Sequence, residues 1–301
     1  MNLSPPSYPE QVAVLRTRIT DEIFFALGLG RTGLLRRLLA RLVWKPADRF
    51  GHIAANFENE VLRAGLGAGA CRVMQDFDLS VDACGIEQIP PTGPLLILCN
   101  HPGAYDSVVV TACIPRPDLK LVVSDVPFTR ALEIASPNFI YVSTDTVERM
   151  GALRQSVEHL QRGGAILLFA NGEVEPDPAF MPGGAEAMRT WSRSIEIMLR
   201  KVPATRLQVA IASGVLLPRF VYSPLTRIRQ RPYHRQKMGE LLQIVQQLLF
   251  PHSVSPIRVR VSFSPPVLPS ELGGDELLQA VIQYAQAQLT EHLEIFRDRL
   301  G

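Results

Sequence analysis

The chain has 301 residues, of which 47% are hydrophobic, enough for one large α/β domain or for one domain with a helical extension. A formal net charge of +2 gives no indication of a polyanion-binding protein, so we expect no nucleic-acid partner. The cysteines show no CxxC spacing and lie in apolar stretches, which argues against a zinc site and predicts reduced core residues in a cytosolic protein: Cys71, Cys84, Cys99 and Cys113.

We expect neither a secretory signal nor a membrane-spanning helix. Residues 1–9 are short, polar and rich in proline, unlike the apolar core of a signal peptide. The sequence has no uninterrupted apolar stretch of about 18 residues, the length that predicts a membrane span. Any contact with a bilayer is therefore expected to be peripheral.

Residues 10–77 are predicted to be wholly helical, in three pieces separated at Gly28-Leu29-Gly30 and at Lys45-Pro46. The piece 32–44 places leucines on one side and arginines mostly on the other. Such a basic amphipathic helix either lies in a membrane interface or packs on the protein's own core, and a leucine stripe fits both. We therefore treat 1–78 as an N-terminal helical region that could dock on a membrane surface, and 79–301 as an α/β domain.

A glycine motif lies inside this helical region. Gly28-Leu29-Gly30-Arg31-Thr32-Gly33 fits the GxGxxG fingerprint of dinucleotide-binding folds. That fingerprint requires a strand just before it and a βαβ unit around it, whereas the preceding residues continue a helical pattern. We favour a glycine break between two helices and expect no bound cofactor.

From Leu79 onward, short apolar runs alternate with helical patterns. The predicted strands are 79–84, 94–100, 119–123, 139–143, 165–170, 207–212 and 257–263. The predicted helices are 107–113, 126–134, 147–161, 185–200, 238–250 and 275–300. This alternation predicts an α/β fold with a mostly parallel central sheet flanked by helices. The basic stretch 227–237 is expected to be an exposed loop.

The most informative motif follows the second predicted strand. His101 and Asp106 are five residues apart, across a turn that Pro102-Gly103 provides. Ligands of open α/β sheets bind just past such strand ends. If Asp106 accepts a hydrogen bond from one imidazole nitrogen, the other nitrogen is left as an acceptor, which makes a general base. In the alternative, His101 only caps the next helix and bonds Asp106 without chemistry.

Several blocks in order resemble the glycerolipid acyltransferase family, the lysophosphatidic-acid-acyltransferase-like group. Asn100-His101 through Asp106 matches its NHxxxxD block. Phe139-Ile140-Tyr141-Val142 with Asp145 resembles its second block, and Phe169-Ala170-Asn171-Gly172-Glu173 resembles its Phe-Pro-Glu-Gly-Thr block. A weaker match is Val209-Ala210-Ile211-Ala212 with Ser213-Gly214. The resemblance covers roughly residues 79–219, and it implies a glycerol-3-phosphate acyltransferase-like fold.

The resemblance implies transfer of a fatty acyl group from acyl-CoA or acyl-carrier protein to a hydroxyl of a glycerolipid-like acceptor, as in phospholipid biosynthesis. His101 would remove the hydroxyl proton and Asp106 would orient the imidazole. No cofactor or metal is implied beyond the thioester co-substrate, and the protein is expected at the cytosolic membrane face. The positions matched to substrate binding are Asn100, Gly103, Tyr105, Asn171, Gly172 and Glu173. Backbone amides near Gly172 or at the helix start after His101 are candidates for holding the oxyanion.

The chain departs from the family where the family carries cations and polar contacts. Asn171 stands in place of a glutamate, Thr146 in place of an arginine and Ser124 in place of a lysine, so much of a phosphate clamp is missing.

Among the remaining cations, Arg149 could contact a phosphate from the first turn of its helix, or it is a solvated arginine. The basic run 227–237 could bind headgroups or the donor's phosphates, or is only solvated. Glu173 and Glu175 could contact a neutral polyol or amine, or form a solvated acidic loop.

Two other classes of function remain open. One is a non-catalytic relative that binds lipid, and the other is a hydrolase of thioesters or esters in which His101 activates water. A serine-based mechanism is not indicated, because the chain lacks a GxSxG elbow.

Overall fold

The computed structural model describes residues 7–26, 34–229, 231–251, 256–273 and 276–297, with the side chains of residues 25, 26, 34–40 and 42 left out. The glycine motif at 28–33 and His252 therefore lie outside the described residues. So do the side chains of most of the leucine and arginine stripe predicted in 32–44.

The N-terminal region is helical, as expected, but the second break is not where the sequence suggested. The helices are α1 Tyr8–Ala26, α2 Leu34–Ala64 and α3 Leu66–Asp76. The predicted break at Lys45-Pro46 is wrong, because α2 continues through Pro46. Its packing on α1 outweighs the hydrogen bond that a proline removes, and Arg16 of α1 bonds Asp48 of α2 at 2.7 Å. The chain instead breaks at Gly65, whose φ of 87° suits glycine.

Within the described residues, seven strands form one sheet in the order β1-β7-β6-β2-β5-β3-β4. Neighbours are parallel except for the antiparallel pair β6 and β7. The predicted parallel sheet is confirmed, and each predicted strand is present to within one or two residues. The strands are β1 Leu79–Cys84, β2 Leu95–Cys99, β3 Leu119–Ser124, β4 Phe139–Val142, β5 Ala165–Phe169, β6 Arg206–Ser213 and β7 Ile257–Phe263.

The helices that follow α3 match the predictions less closely. They are α4 Ala104–Cys113, α5 Pro127–Arg130, α6 Thr146–Gln161, α7 Gly184–Met188, α8 Ser194–Lys201, α9 Pro218–Val221, α10 Pro232–Leu249 and α11 Leu277–Ile295. The predicted helix 126–134 shrinks to α5, because the buried carboxylate of Glu58 binds the amides of Ile134 and Ala135 at 2.8 and 2.9 Å.

Two further helix predictions need correction. The predicted helix 185–200 is split into α7 and α8, because the Ser192 amide leaves the helix to bond the Ala170 carbonyl at 2.9 Å. Helix α10 begins at Pro232, six residues before the predicted start, since proline is favoured in the first helical turn. Part of the stretch 227–237, predicted as a loop, is therefore helical.

The sheet buries both faces, and helices cover each. Alternate residues of β2 enter two separate cores, with Leu95 and Ile97 on one side and Leu96 and Leu98 on the other. The first face packs against α2, α3, α4 and α10, and the second against α6, α8 and α11. The N-terminal helices thus share a core with the sheet. The division of the chain at residue 78 stays a prediction.

The cysteine prediction needs one correction. Cys99 and Cys113 are buried, but Cys71 is exposed on α3 instead of lying in the core, and Cys84 is only partly buried. In the part of the chain that the structure describes, no helix is long and apolar enough to cross a bilayer.

Candidate active site

The site lies at the carboxyl ends of the neighbouring parallel strands β2 and β5, after which the chain continues on opposite faces of the sheet. After β2 the chain continues into α4 on the first face, and after β5 it continues toward α7 and α8 on the second. Such a divergence opens a crevice at the carboxyl ends of the strands. His101 follows β2 and Asn171 follows β5, so both lie at this crevice.

The turn after β2 holds His101 and Asp106 together. The Nδ1 atom of His101 lies 2.9 Å from Oδ2 and 3.1 Å from Oδ1 of Asp106. The Gly103 amide also donates to Asp106, at 3.1 Å, so this carboxylate caps α4 while it binds the imidazole. Because a carboxylate only accepts hydrogen bonds, Nδ1 carries the proton and Nε2 is left as the acceptor.

The two side chains differ in exposure. Asp106 is completely buried, whereas 26% of the His101 side chain is accessible and its ring packs 4.8 Å from that of Phe169. Burial lowers the pKa of His101, but the neighbouring carboxylates Asp106, Glu240 and Glu175 outweigh burial, so the net shift in pKa is upward. The imidazole is therefore a stronger base than a free histidine.

Glu175 fixes the backbone of His101. The Glu175 amide donates to the His101 carbonyl at 2.7 Å, and the His101 amide donates to Oε2 of Glu175 at 2.9 Å. The indole Nε1 of Trp191 donates to Oε1 of the same carboxylate at 3.0 Å. Burial raises the pKa of Glu175 to about 7. The interpretation of Glu175 as part of a solvated acidic loop is therefore wrong.

Helix α10 holds the turn from the other side. The Gln236 amide donates to the carbonyls of Pro102 at 3.0 Å and of Glu175 at 2.6 Å. One turn further along, the Glu240 carboxylate accepts a hydrogen bond from the Ala104 amide, and burial raises the pKa of Glu240 to about 7. Three carboxyl groups and one glutamine thus surround the turn that carries His101.

His101 opens onto a cavity of about 1020 Å³ that reaches from the crevice toward the N-terminal helices. Its walls on that side are apolar and come from α2, α3, α4 and β3. Representative residues are Phe57, Leu66, Ala70, Val108 and Leu121. This arm can hold an aliphatic chain without a hydrogen-bond partner.

The opposite end of the cavity is polar. It is lined by Ser124, Ser143, Thr144, Asn171 and Ser192, with Asp125 and Arg149 among them. Asp125 is held by Arg130 at 2.6 and 2.7 Å. Within the described residues, Arg149 is the cation that lines the cavity, and its guanidinium group lies 3.5 Å from Thr146 Oγ1.

The structure brings together only part of the predicted site. Tyr105, Asn171, Gly172 and Arg149 line the same cavity as His101. The Tyr105 hydroxyl is already engaged by Gln247 at 2.6 Å, so its ring is what faces the cavity.

Three predicted substrate-binding residues lie outside the cavity lining: Asn100, Gly103 and Glu173. Asn100 is buried and exchanges two hydrogen bonds with the backbone of Ala212 in β6, at 2.8 and 2.9 Å. A side chain at position 103 would meet Glu240, so Gly103 gives the close approach that the turn needs. Glu173 is exposed.

The amides expected to hold an oxyanion are already engaged. The Gly172 amide donates to the Phe169 carbonyl at 3.1 Å, and those of Gly103 and Ala104 donate to Asp106 and Glu240. The Asn171 side chain is a remaining polar group at this end, with its Oδ1 accepting from the Thr190 hydroxyl at 3.1 Å.

Sequence reasoning missed the supports contributed by α10. The signal was present, because four polar side chains recur at helical spacing and face the protein: Gln236, Glu240, Gln243 and Gln247. Arg116, a cation outside the cavity lining, is buried and paired with Asp118 at 2.7 Å, so its role is structural. A search of the described residues finds no cluster of side chains that could hold a metal ion.

Comparisons with known proteins give little beyond the fold. No protein-family model matches the chain, and no curated protein matches it either. Among solved structures, the chain is similar to the 1-acyl-sn-glycerophosphate (LPA) acyltransferase, PlsC, from Thermotoga maritima, with 13% identical residues and a TM-score of 0.47. The match covers 97% of this chain and 98% of that chain. At this identity the likeness does not extend to the chemistry of individual side chains.

Proposed function

We propose that this protein is an acyltransferase that moves a fatty acyl group from a thioester to a hydroxyl of a lipid-like acceptor. One observation carries the proposal. The acceptor nitrogen of an Asp106-oriented imidazole lies at a cavity of about 1020 Å³ with one apolar arm and one polar end. That arrangement suits an acyl chain on one side of the base and a hydroxyl-bearing headgroup on the other.

The proposed reaction uses His101 as the base. Its Nε2 takes the proton from the acceptor hydroxyl while the oxygen attacks the thioester carbonyl, and Asp106 stabilises the imidazolium. The tetrahedral intermediate then expels the thiolate, which recovers the proton from His101. The acceptor gains the acyl group, and the donor leaves as a free thiol. Positioned proton transfer of this kind contributes about 10²–10⁴-fold to the rate.

The donor is acyl-CoA or acyl-carrier protein, with no other cofactor. The apolar arm receives the acyl chain, and its walls from α2 and α3 limit the length that fits. Tyr105 contributes a ring to the wall near the base, and Asn171 and Gly172 border the reacting carbonyl. Arg149 binds an anionic group of the acceptor, because it is a cation at the polar end of the cavity. A lipid acceptor resides in a membrane, so the proposed reaction takes place at the cytosolic membrane face.

Product analysis tests this proposal against its alternatives. The purified chain is incubated with labelled acyl-CoA or acyl-carrier protein and a mixed lipid extract, and the labelled products are separated. Acylated lipid is the expected product. Release of free fatty acid at the same rate with and without lipid would identify a hydrolase instead. Binding of the labelled thioester with no product would identify a non-catalytic lipid-binding protein.

A further inference from the structure

The segment 219–237 is rich in exposed positive charge. It contains no acidic residue and six cations, all exposed, although the whole chain has a formal net charge of only +2. Within the described residues, none of its five arginines forms an ion pair with a carboxylate, unlike Arg16 or Arg130. The six are Arg219, Arg227, Arg229, Arg231, Arg235 and Lys237. A surface with this excess of positive charge attracts negatively charged partners.

The same segment exposes three large apolar side chains between these cations. Tyr222, Leu225 and Ile228 are 59%, 60% and 75% exposed. Leu225 and Ile228 belong to a 3₁₀ turn, Pro224–Ile228, in which residues three apart lie on the same side. The two therefore point outward together and form an apolar tip, and Tyr222 is exposed two residues before the turn begins.

The tip is held in place from within. Thr226 lies between its two apolar residues but is 1% exposed, and its hydroxyl oxygen lies 2.8 Å from the Val221 carbonyl and 2.7 Å from the Ser223 carbonyl, which share its one hydrogen. The Ser223 hydroxyl accepts from the Leu225 amide at 3.4 Å. The outward direction of Leu225 and Ile228 is thus fixed by the inward anchoring of their neighbour.

The segment is continuous with the turn that carries His101. Gln236 lies between the exposed Arg235 and Lys237, and its side chain is 2% exposed because it bonds the carbonyls of Pro102 and Glu175. The segment 219–237 therefore contains one of the supports of the base, with an exposed cation on each side of it.

We propose that segment 219–237 docks on a bilayer that contains anionic lipids, with Tyr222, Leu225 and Ile228 in the interface and the cations on the headgroups. Charge complementarity selects the partner, and exposed aliphatic side chains with a tyrosine suit the boundary between headgroups and acyl chains. The proposal goes beyond the acyl transfer and does not depend on it. It also places docking elsewhere than the N-terminal helical region 1–78.

Vesicle sedimentation tests the proposal with the full chain. The probes are vesicles of phosphatidylcholine alone and of phosphatidylcholine mixed with phosphatidylglycerol. We expect sedimentation with the mixed vesicles, weakened by salt. The double substitution Arg227→Glu and Arg229→Glu should weaken binding by at least about tenfold, because each basic residue contributes substantially at an anionic surface. Leu225→Ser with Ile228→Ser should weaken binding as well.

Two control variants match these changes elsewhere. Lys201→Glu at the end of α8 with Arg206→Glu at the start of β6 changes the net charge equally, and Ile197→Ser with Ile295→Ser removes exposed apolar surface from other helices. Both should bind vesicles like the unmodified chain, and circular dichroism establishes that each variant folds. Unchanged binding by the charge-reversed or serine variants of the segment would overturn the proposal. So would sedimentation with neither vesicle, or binding to an acyl-carrier protein alone.

A separate measurement distinguishes this proposal from the acyl transfer. Transfer between a short-chain, water-soluble thioester and a soluble alcohol, without vesicles, should be unaffected by the double substitutions Arg227→Glu with Arg229→Glu and Leu225→Ser with Ile228→Ser, because all four side chains are exposed. Loss of vesicle binding with this soluble reaction intact supports the docking surface. Either of these two double variants that bound vesicles normally but lost the soluble reaction would contradict it.

Discussion

His101 is held by two carboxylates that act on different parts of the residue. Asp106 binds the imidazole and thereby determines which ring nitrogen is left as an acceptor. Glu175 binds the backbone amide of His101 and thereby fixes the position of its main chain. A base that must meet a hydroxyl within hydrogen-bond reach needs both kinds of restraint.

Replacement of Asp106 with asparagine should change both the rate and its pH dependence. We expect the rate of acyl transfer to fall by about 10²–10⁴-fold, because the imidazolium loses its counter-charge. Asp106 also raises the pKa of His101, so the rise of kcat/KM with pH should move to lower pH in the variant. A pH–rate profile measures both effects. A profile that kept its position and height would contradict the orienting role of Asp106.

Glu175 should behave as a positioning residue. Glu175→Gln keeps the shape, but the His101 amide and the Trp191 indole donate to different oxygens of the carboxylate, so one of them would face the NH2 group of glutamine, which cannot accept. We expect kcat to fall by about tenfold with KM nearly unchanged, because a small displacement of the base affects mainly the chemical step. The matched control is Glu173→Gln, two residues away and exposed, which should leave both constants unchanged. Steady-state kinetics that show a rise in KM alone would argue against positioning.

Helix α10 supports the site through hydrogen bonds from its polar side chains to the surrounding segments. Gln236 and Glu240 bind the backbone of the His101 turn. Gln243 binds the chain after β6. Gln247 accepts from the Tyr105 hydroxyl and donates to the Phe77 carbonyl. Each contact satisfies backbone or hydroxyl groups that would otherwise be buried without a partner.

Gln243→Ala tests this role for one contact. Gln243 is fully buried, accepts from the Leu217 amide at 2.8 Å and donates to the Val215 carbonyl at 3.0 Å. Its removal leaves two buried backbone groups unpaired, so we expect the free energy of unfolding to fall by about 2–4 kcal/mol. Gln246→Ala, on the same helix and only half-buried, should change it by less than about 0.5 kcal/mol. Urea denaturation measures both free energies of unfolding. Equal losses in the two variants would contradict the supporting role of Gln243.

The strands could be predicted because the information is local. Runs such as β2 and β5 are continuous and apolar, and turn residues bound them, so the chain itself marks their ends. Helix ends were predicted less well because distant residues set them. Glu58 ends the helix begun by α5, and the bond from Ser192 to Ala170 separates α7 from α8.

The same distinction explains which parts of the site the sequence revealed. His101 and Asp106 are five residues apart, so their pairing across one turn follows from spacing. Glu175 and Glu240 lie 74 and 136 residues from the groups that they bind, and only the fold brings them there. The sequence points to Glu173 because it lies in the block that resembles the Phe-Pro-Glu-Gly-Thr motif, whereas the fold turns Glu175 inward and leaves Glu173 exposed.

At the scale of the whole molecule, the cavity exists because the N-terminal helices cover one face of the sheet. Residues of α2 and α3 form one wall, while α4 and β3 form the other. The apolar arm is therefore a space between two packed layers, and its size depends on small side chains at the wall.

Ala54→Phe tests whether this arm selects the acyl chain. Ala54 is 5% exposed and lines the cavity from α2, so a phenyl ring there should shorten the space available. We expect the ratio of kcat/KM for long-chain to short-chain thioesters to fall by at least about tenfold, because overpacking at this site opposes only the longer chain. The short-chain substrate serves as the internal control for folding. A uniform loss for all chain lengths would contradict the assignment of the arm.

The base assignment of His101 is tested most directly by the single-turnover rate of transfer from a bound acyl thioester to the acceptor in His101→Ala. The account predicts a fall of about 10²–10⁴-fold, with thioester binding retained. His52→Ala, at an exposed position on α2, should react like the unmodified chain. A His101→Ala protein that transferred the acyl group within about twofold of the normal rate would contradict the account.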